Sequence, residues 1–274
     1  GLHEAGVALA APTPVRAPSA LALAALDAEG KASYSFYRDG VADRQVTAAA
    51  LTAACAAWPE LQVVATGCLA LVAQDAALYL PWLAAQRAAG RMVVVDANLR
   101  LSAVDDAEAY RANVMAALQH AHLIKVSDDD LDALAVPGAT ALERAHYLQQ
   151  QTQAQWLALT LGPEGAWLLQ RDGLAMHARE EAPITVVDTV GAGDCFLAGL
   201  ITALLAGHER GEEALALRAG GITAPITEAR LRTVLHHALA SASHCVERAG
   251  CTPPRYEEVR ERLALRRSTT AAGR

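Results

Sequence analysis

The sequence predicts an α/β fold: a mostly parallel sheet flanked by helices on both faces, with a small β lid. Three observations carry this. From residue 47 onward, stretches of helical period alternate with short β-branched or apolar runs, the pattern of βα units. An early hairpin stands apart from that alternation. Polar residues collect where the apolar runs end, which is where an open α/β sheet binds ligands. They are Gly67, then Asp96, Asn98 and Arg100, then Ser127 and Asp130, then Thr160 and Gly162.

Taken in order, residues 2–7 read as the tail of a helix, followed by a Pro-rich connector over 11–18. Residues 20–27 and 31–37 form the hairpin. Leu21, Leu23 and Leu26 supply one apolar set, a turn over 27–30 reverses the chain, and Tyr34, Phe36 and Tyr37 follow. Strands are predicted over 61–66, 92–96, 123–126 and 156–161, with helices over 47–58, 73–89, 107–120 and 141–151 between them. Val186 and Val187 are expected to end a further strand, and the apolar run from Phe196 to Leu205 continues as a buried helix. A long helix is expected over 231–248, ending at Gly250. There is no internal repeat.

Composition narrows the function. With 53% hydrophobic and 4% aromatic residues, a chain of 274 residues buries a sizeable core built on alanine and leucine. A formal charge of -7 and the absence of a basic run before Arg266 offer no electrostatic footprint for nucleic acid, so no such partner is expected. Cys55, Cys68, Cys195, Cys245 and Cys251 are odd in number and lack Cys-x-x-Cys spacing, which suggests neither a zinc site nor a disulfide framework. A reducing cytoplasm suits them. The apolar run over 196–207 is too short to span a bilayer, so no membrane partner is expected.

One stretch organises the rest: Asp188-Thr189-Val190-Gly191-Ala192-Gly193-Asp194-Cys195-Phe196. Gly191, Ala192 and Gly193 remove the bulk that would keep an anion from the backbone. The helix start that follows has unpartnered N–H groups and the positive end of a dipole, which suit phosphate. Asp194 opposes that logic unless it has separate work, and abstracting a proton from an attacking hydroxyl is such work. The plainer alternative is a softened loop with an Asp favouring the helix dipole.

The full string resembles the second signature of the PfkB, or ribokinase-like, carbohydrate kinases, Asp-Thr-x-Gly-Ala-Gly-Asp-x-Phe, at every fixed position. The resemblance implies a ribokinase-like fold and transfer of the ATP γ-phosphoryl group to a sugar hydroxyl. It makes Asp194 the general base and the N–H groups of Gly191, Ala192 and Gly193 the anion hole. It sets Asp188 near a monovalent-cation site, so K⁺ joins ATP and Mg²⁺ among the expected cofactors.

Further elements extend the likeness. Asp96-Ala97-Asn98-Leu99-Arg100 resembles the family's Asp-x-Asn-x-Arg element, with alternate side chains sharing a side while the run is extended. Arg100 would stabilise phosphoryl charge and Asn98 would touch substrate; a helix cap with a surface Arg is the alternative. Ser127 and Asp130 stand where the family has Asn-x-x-Glu, implying nucleotide and magnesium roles, though the pair also reads as an N-capping box. Thr160, Gly162 and Gly165 match the Thr-Leu-Gly-x-x-Gly turn near the nucleotide phosphates; a plain tight turn explains them equally. Leu239 lies where the family often has Asn.

Arg38, ending Phe36-Tyr37-Arg38, is either a substrate contact or a solvated charge. That run, the Asp96 element and Lys125-Val126-Ser127 are closest to fructokinase-like members, which makes fructose the leading acceptor. A 2-keto-3-deoxygluconate kinase, a ribokinase or a nucleoside kinase would share the catalytic residues, and a non-catalytic sensor is the rival of another class. In this family the opening segment usually follows a first βαβ portion. The chain is therefore expected to be an N-terminally incomplete kinase domain over 1–265 with a disordered tail over 266–274, and the lid makes a homodimer plausible.

Overall fold

The hairpin stands as its own sheet. In the computed structural model, which describes residues 2–11, 13–26, 32–171, 173–205, 217–218, 221–222 and 227–272, β1 (Leu21–Leu26) pairs antiparallel with β2 (Ala32–Tyr37). Leu21 lies opposite Tyr37. The turn expected over 27–30 falls outside the described residues. On its other side β2 packs against the short 3-10 turn Leu101–Ala103.

Six strands in chain order form the central sheet: β3 (Val63–Gly67), β4 (Met92–Asp96), β5 (Leu123–Ser127), β6 (Trp156–Thr160), β7 (Ala166–Gln170) and β8 (Ala175–Ala178). The first four run parallel, β7 pairs antiparallel with β6, and β8 pairs antiparallel with β7. Every residue of β4 is buried, as its valine run requires. Alternate side chains serve opposite layers. Val93 and Val95 enter the layer with Tyr110 and Val114, while Met92 and Val94 enter the layer with Phe196 and Leu235. Each such side chain contributes about 1.5–3 kcal/mol by leaving water.

Helices fill both faces. On the first lie α1 (Ala48–Ala56), α2 (Ala76–Ala88), α3 (Ala107–Leu118), α4 (Asp128–Ala133) and α5 (Ala141–Gln150); on the second, α6 (Ala192–Leu205) and α7 (Glu228–Val246). Their starts are written in the sequence. The side chains of Thr47, Asp106, Thr140 and Thr227 each accept an N–H from three residues on. Helices α6 and α7 make the most extensive helix contact among the described residues. Gly199 allows it, since a methyl there would meet Ser241 and the Ala238 backbone.

The sheet sets the site by register. Gly67 pairs with Asp96, Asp96 with Lys125, and Ser127 with Thr160, so the polar ends of β3 to β6 form one row. One expectation is corrected. Val186 and Val187 end no strand: both are exposed, and the N–H groups of Val187 and Asp188 share one carbonyl, that of Val246. With no neighbouring strand among the described residues, β-branching alone does not make one. The last helix is α8 (Tyr256–Ala272). Among the described residues no helix is long and apolar enough to cross a membrane.

Candidate active site

The turn before α6 is held from both sides. Asp188 Oδ1 accepts the Val190 N–H at 3.0 Å and its Oδ2 accepts the Gly250 N–H at 2.8 Å. These backbone donors hold the Asp188 carboxyl below its ordinary range. Gly191 has φ +81°, and a Cβ there would strike Cys251 Sγ. The Ala192 N–H donates to Thr189 O at 3.2 Å and the Cys195 N–H to Gly191 O at 2.8 Å. Between them, Gly193 and Asp194 have no backbone acceptor among the described residues, as the first turn of a helix dictates. Among the described residues the N–H groups of Gly191, Gly193 and Asp194 thus have no backbone acceptor, while that of Ala192 is already engaged in the turn.

Beside this turn opens a cleft of about 470 Å³. Ala192, Gly193 and Phe196 form one wall, Asn98, Arg100, Ser127 and Asp130 the floor, and Thr160, Gly162, Gly165 and Leu239 the far side. Seven residues expected at a site from sequence thus meet in one cavity with two of the three anion-turn residues. A Cβ at Gly162 would meet nothing within 4 Å, leaving its backbone open to a guest; Gly165 instead presses on Ala178 and Arg179 of β8 and its exit. Thr160 Oγ1 donates to Val126 O at 3.4 Å.

The Asp96 to Arg100 run is not extended, which corrects the expected alternation: Asn98 has φ +36°, a left-handed conformation that Asn tolerates. The kink turns the chain so that both Asn98 and Arg100 reach the cleft. Arg100 Nη1 donates to Leu99 O at 2.9 Å and to Asn98 O at 3.3 Å, which fixes its guanidinium on its own loop. Ser127 and Asp130 form the capping box. Asp130 is buried, with Oδ2 accepting the Ser127 N–H and hydroxyl at 2.8 Å each and Oδ1 accepting the Leu99 N–H at 2.8 Å. Asp130 thereby ties the Asn98 kink to α4.

Asp194 is exposed in the first turn of α6 and is not part of the cleft lining. Its charge acts on Asp96 and Cys68, at the ends of β4 and β3. Arg38 lies apart from both. It donates to Leu69 O at 2.9 Å and Asp43 Oδ2 at 2.7 Å, and lines a second cavity of about 510 Å³ with Tyr37, Arg44 and Val104. Sequence reasoning missed Lys125. It is buried in β5, its Nζ lies 3.1 Å from Asp96 Oδ1, and it reaches the cleft. A lone lysine inside the apolar run Leu123-Ile124-Lys125-Val126 was the available signal. Burial pushes the Asp96 carboxyl up to about 6, against the pull of Lys125 and with the push of Asp130 and Asp194.

The pattern of pfkB family carbohydrate kinases matches residues 3–258. The chain belongs to this family. Among its relatives, a fructokinase from Rhizobium leguminosarum bv. trifolii is 31% identical over 191 residues, 68% of this chain and 55% of that protein. The chain thus spans about half the length of that relative. A fructokinase from Xylella fastidiosa, solved with ATP bound, superposes with a TM-score of 0.78 at 24% identity, covering 97% of this chain and 80% of its own. A fructokinase from Vibrio cholerae O395, bound to fructose, ADP and calcium, gives 0.73 at 19% identity, covering 96% and 79%. The fold is ribokinase-like, as the sequence resemblance implies.

The site's donors suit the phosphates on which a pfkB kinase acts. The unpaired N–H groups of Gly193 and Asp194, the open Gly162 and the fixed Arg100 all offer positive character to one cleft. Among the described residues no group of three or more His, Cys, Asp or Glu could hold a metal ion. The carboxylates of Asp128, Asp129 and Asp130 line the same cleft.

Proposed function

We propose that this chain carries the catalytic half-site of an ATP-dependent sugar kinase, transferring the γ-phosphoryl group to a sugar hydroxyl, with fructose as the acceptor. One observation carries the reading: the first turn of α6 sets N–H groups without acceptors at the cleft and carries the exposed Asp194 carboxylate in that same turn, outside the cleft lining. A phosphate held by the N–H groups and a hydroxyl brought to the carboxylate is the arrangement an in-line transfer needs.

In this reading the nucleotide phosphates occupy the cleft, with Gly162, Thr160 and Ser127 at their edge, Gly165 shaping that turn from behind, and Leu239 near the base. Gly193 and Asp194 donate to the transferred group, and Gly191 and Ala192 hold the turn that aims them. Arg100, pinned by its own carbonyls, adds charge without needing to reorganise. Asp194 takes the proton of the attacking hydroxyl, and Asn98 orients substrate. Asp130 would hold a magnesium ion through water, and that ion would supply positive charge against the phosphates. Asp188 keeps one lone pair on each oxygen, enough to join the shell of a potassium ion behind the turn. Arg38 enters the acceptor site only if the hairpin closes over it, and the exposed Leu21 and Leu23 of the hairpin are where a second copy would pair.

Fructose is favoured by the elements around Arg38, Asp96 and Lys125 and by the fructokinase relatives. The test is magnesium-ATP-dependent ADP release with fructose, ribose, 2-keto-3-deoxygluconate, adenosine or no acceptor. Fructose-dependent ADP is the expected result. ADP release with another acceptor alone would move the substrate, and nucleotide binding without turnover on any acceptor would overturn the kinase reading.

A further inference from the structure

Lys125 is an expensive residue to place where it is. Its neighbours in β5, Leu123, Ile124 and Val126, are all fully buried, and Lys125 itself is 4% exposed. Moving an ammonium out of water costs several kcal/mol unless it is well paired. The pairing is spare: among the described residues the ammonium contacts one acid, Asp96, at 3.1 Å, with side-chain exposures of 5% and 9%. On the other side of Lys125 in the sheet, its register partner is Ala158. An apolar pair of similar volume would hold this part of the sheet as well or better. A purely structural role therefore explains the position poorly.

What the ammonium does reach is the anion turn. The nearest heavy atom to a Cβ built on Gly193 is Lys125 Nζ, at 3.1 Å. Gly193 is thus the residue that lets the charge lie directly beneath the turn, and Lys125 is also part of the cleft wall. The N–H groups of Gly193 and Asp194, without backbone acceptors among the described residues, belong to that same turn. Of these sources of positive character only the buried lysine carries a full charge.

We propose that Lys125 contacts the transferred phosphoryl group from beneath the Gly193 turn, and that Asp96 is a positioning residue acting through it. This rests on the kinase reading. During transfer the acceptor oxygen forms its bond to phosphorus as the bond from phosphorus to the ADP oxygen breaks, and the hydroxyl proton passes to Asp194. Lys125 exchanges no proton. It balances charge that spreads onto the phosphoryl oxygens, at a site where water is largely excluded and a fixed charge acts strongly. Asp96 holds the ammonium toward the turn rather than toward bulk water.

The test compares wild type with Lys125→Met and with the double variant Lys125→Met/Asp96→Asn. The single variant strands a buried carboxyl and is expected to melt lower; the double variant removes both charges and is expected to regain wild-type stability. Turnover separates the roles. In the double variant kcat should remain down by about a hundredfold, with the sugar KM within about threefold of wild type. A double variant with wild-type kcat would overturn the proposal and leave the pair structural. A second readout stands apart from turnover: magnesium tripolyphosphate should raise the melting temperature of wild type and not of the double variant. If wild type turns over no acceptor, the kinase reading fails, and an equal tripolyphosphate shift in both proteins would separately overturn the role of Lys125.

Discussion

Substituting Gly199 by Ala tests how the site is held, because Gly199 sits at the crossing of the two helices that carry and brace the anion turn. In an exposed helix interior the exchange gains about 1 kcal/mol of helix propensity. Here the added methyl meets Ser241 Oγ, Ser241 Cβ at 2.8 Å and Ala238 Cα at 3.1 Å. The hydroxyl cannot swing clear without cost, since it donates to His237 O at 2.9 Å, and the other two atoms are fixed to a helix of 19 residues. The helices must part. Overpacking of this kind costs about 1–3 kcal/mol, so after the propensity gain the expected net loss is up to about 2 kcal/mol. For a domain of this size that lowers Tm by up to about 8 °C. Scanning calorimetry beside Ala198→Gly, an exposed control on α6, separates the terms: the control loses propensity alone. A Gly199→Ala protein melting at or above wild type would refute the close crossing. Because α6 also carries Asp194, turnover should fall by more than the stability loss alone accounts for at a temperature where both proteins are folded.

Two further outcomes follow from the same geometry. Gly191→Ala forces a side chain into a left-handed conformation, costing about 1–2 kcal/mol, and into Cys251; turnover should drop about tenfold or more, equivalent to about 1.4 kcal/mol, and an active variant would show that the turn adapts. His122 is buried, with Nδ1 accepting the Val93 N–H at 2.9 Å, and burial, with Arg87 nearby, lowers its pKa to about 4. The unfolded chain takes that proton near pH 6.5, so the His122 contribution is constant above 6.5 and is lost as pH falls toward 4. Buried Asp96 works in the opposite sense, gaining stability as pH falls through about 6. In melting curves from pH 7 to 5, wild type should therefore lose stability relative to His122→Asn; parallel curves would contradict the assignment.

Much of this was legible because the signals were local and strong. The run Met92-Val93-Val94-Val95-Asp96 is a strand wherever a sheet is available, and Thr or Asp three residues ahead of an N–H writes a helix start. Where tertiary context decides, the sequence was silent. Val186 and Val187 look like a strand end, yet among the described residues no strand lies beside them, and their segment is held by the Val246 carbonyl instead. Asn98 was read as one step in an extended run because its left-handed turn depends on Asp130, thirty-two residues away, capturing the Leu99 N–H. The separation of Arg38 from the cleft likewise depends on Asp43 and Leu69 competing for its guanidinium. Lys125 was visible as a charge in an apolar strand, but its meaning appears only when the register sets it beside Asp96 and under Gly193.

The most direct test of the account is phosphoryl transfer by Asp194→Asn, measured as single-turnover ADP formation with magnesium-ATP and the acceptor that wild type uses, with nucleotide affinity measured on the same protein. The substitution keeps the volume, the backbone N–H and the α6 turn, and removes the group that would receive the hydroxyl proton. The account predicts that nucleotide affinity stays within about threefold of wild type while the transfer rate falls by a factor of about a hundred or more. A transfer rate equal to wild type would contradict the role of Asp194 and, with it, the reading of the α6 turn as the divide between phosphate and acceptor.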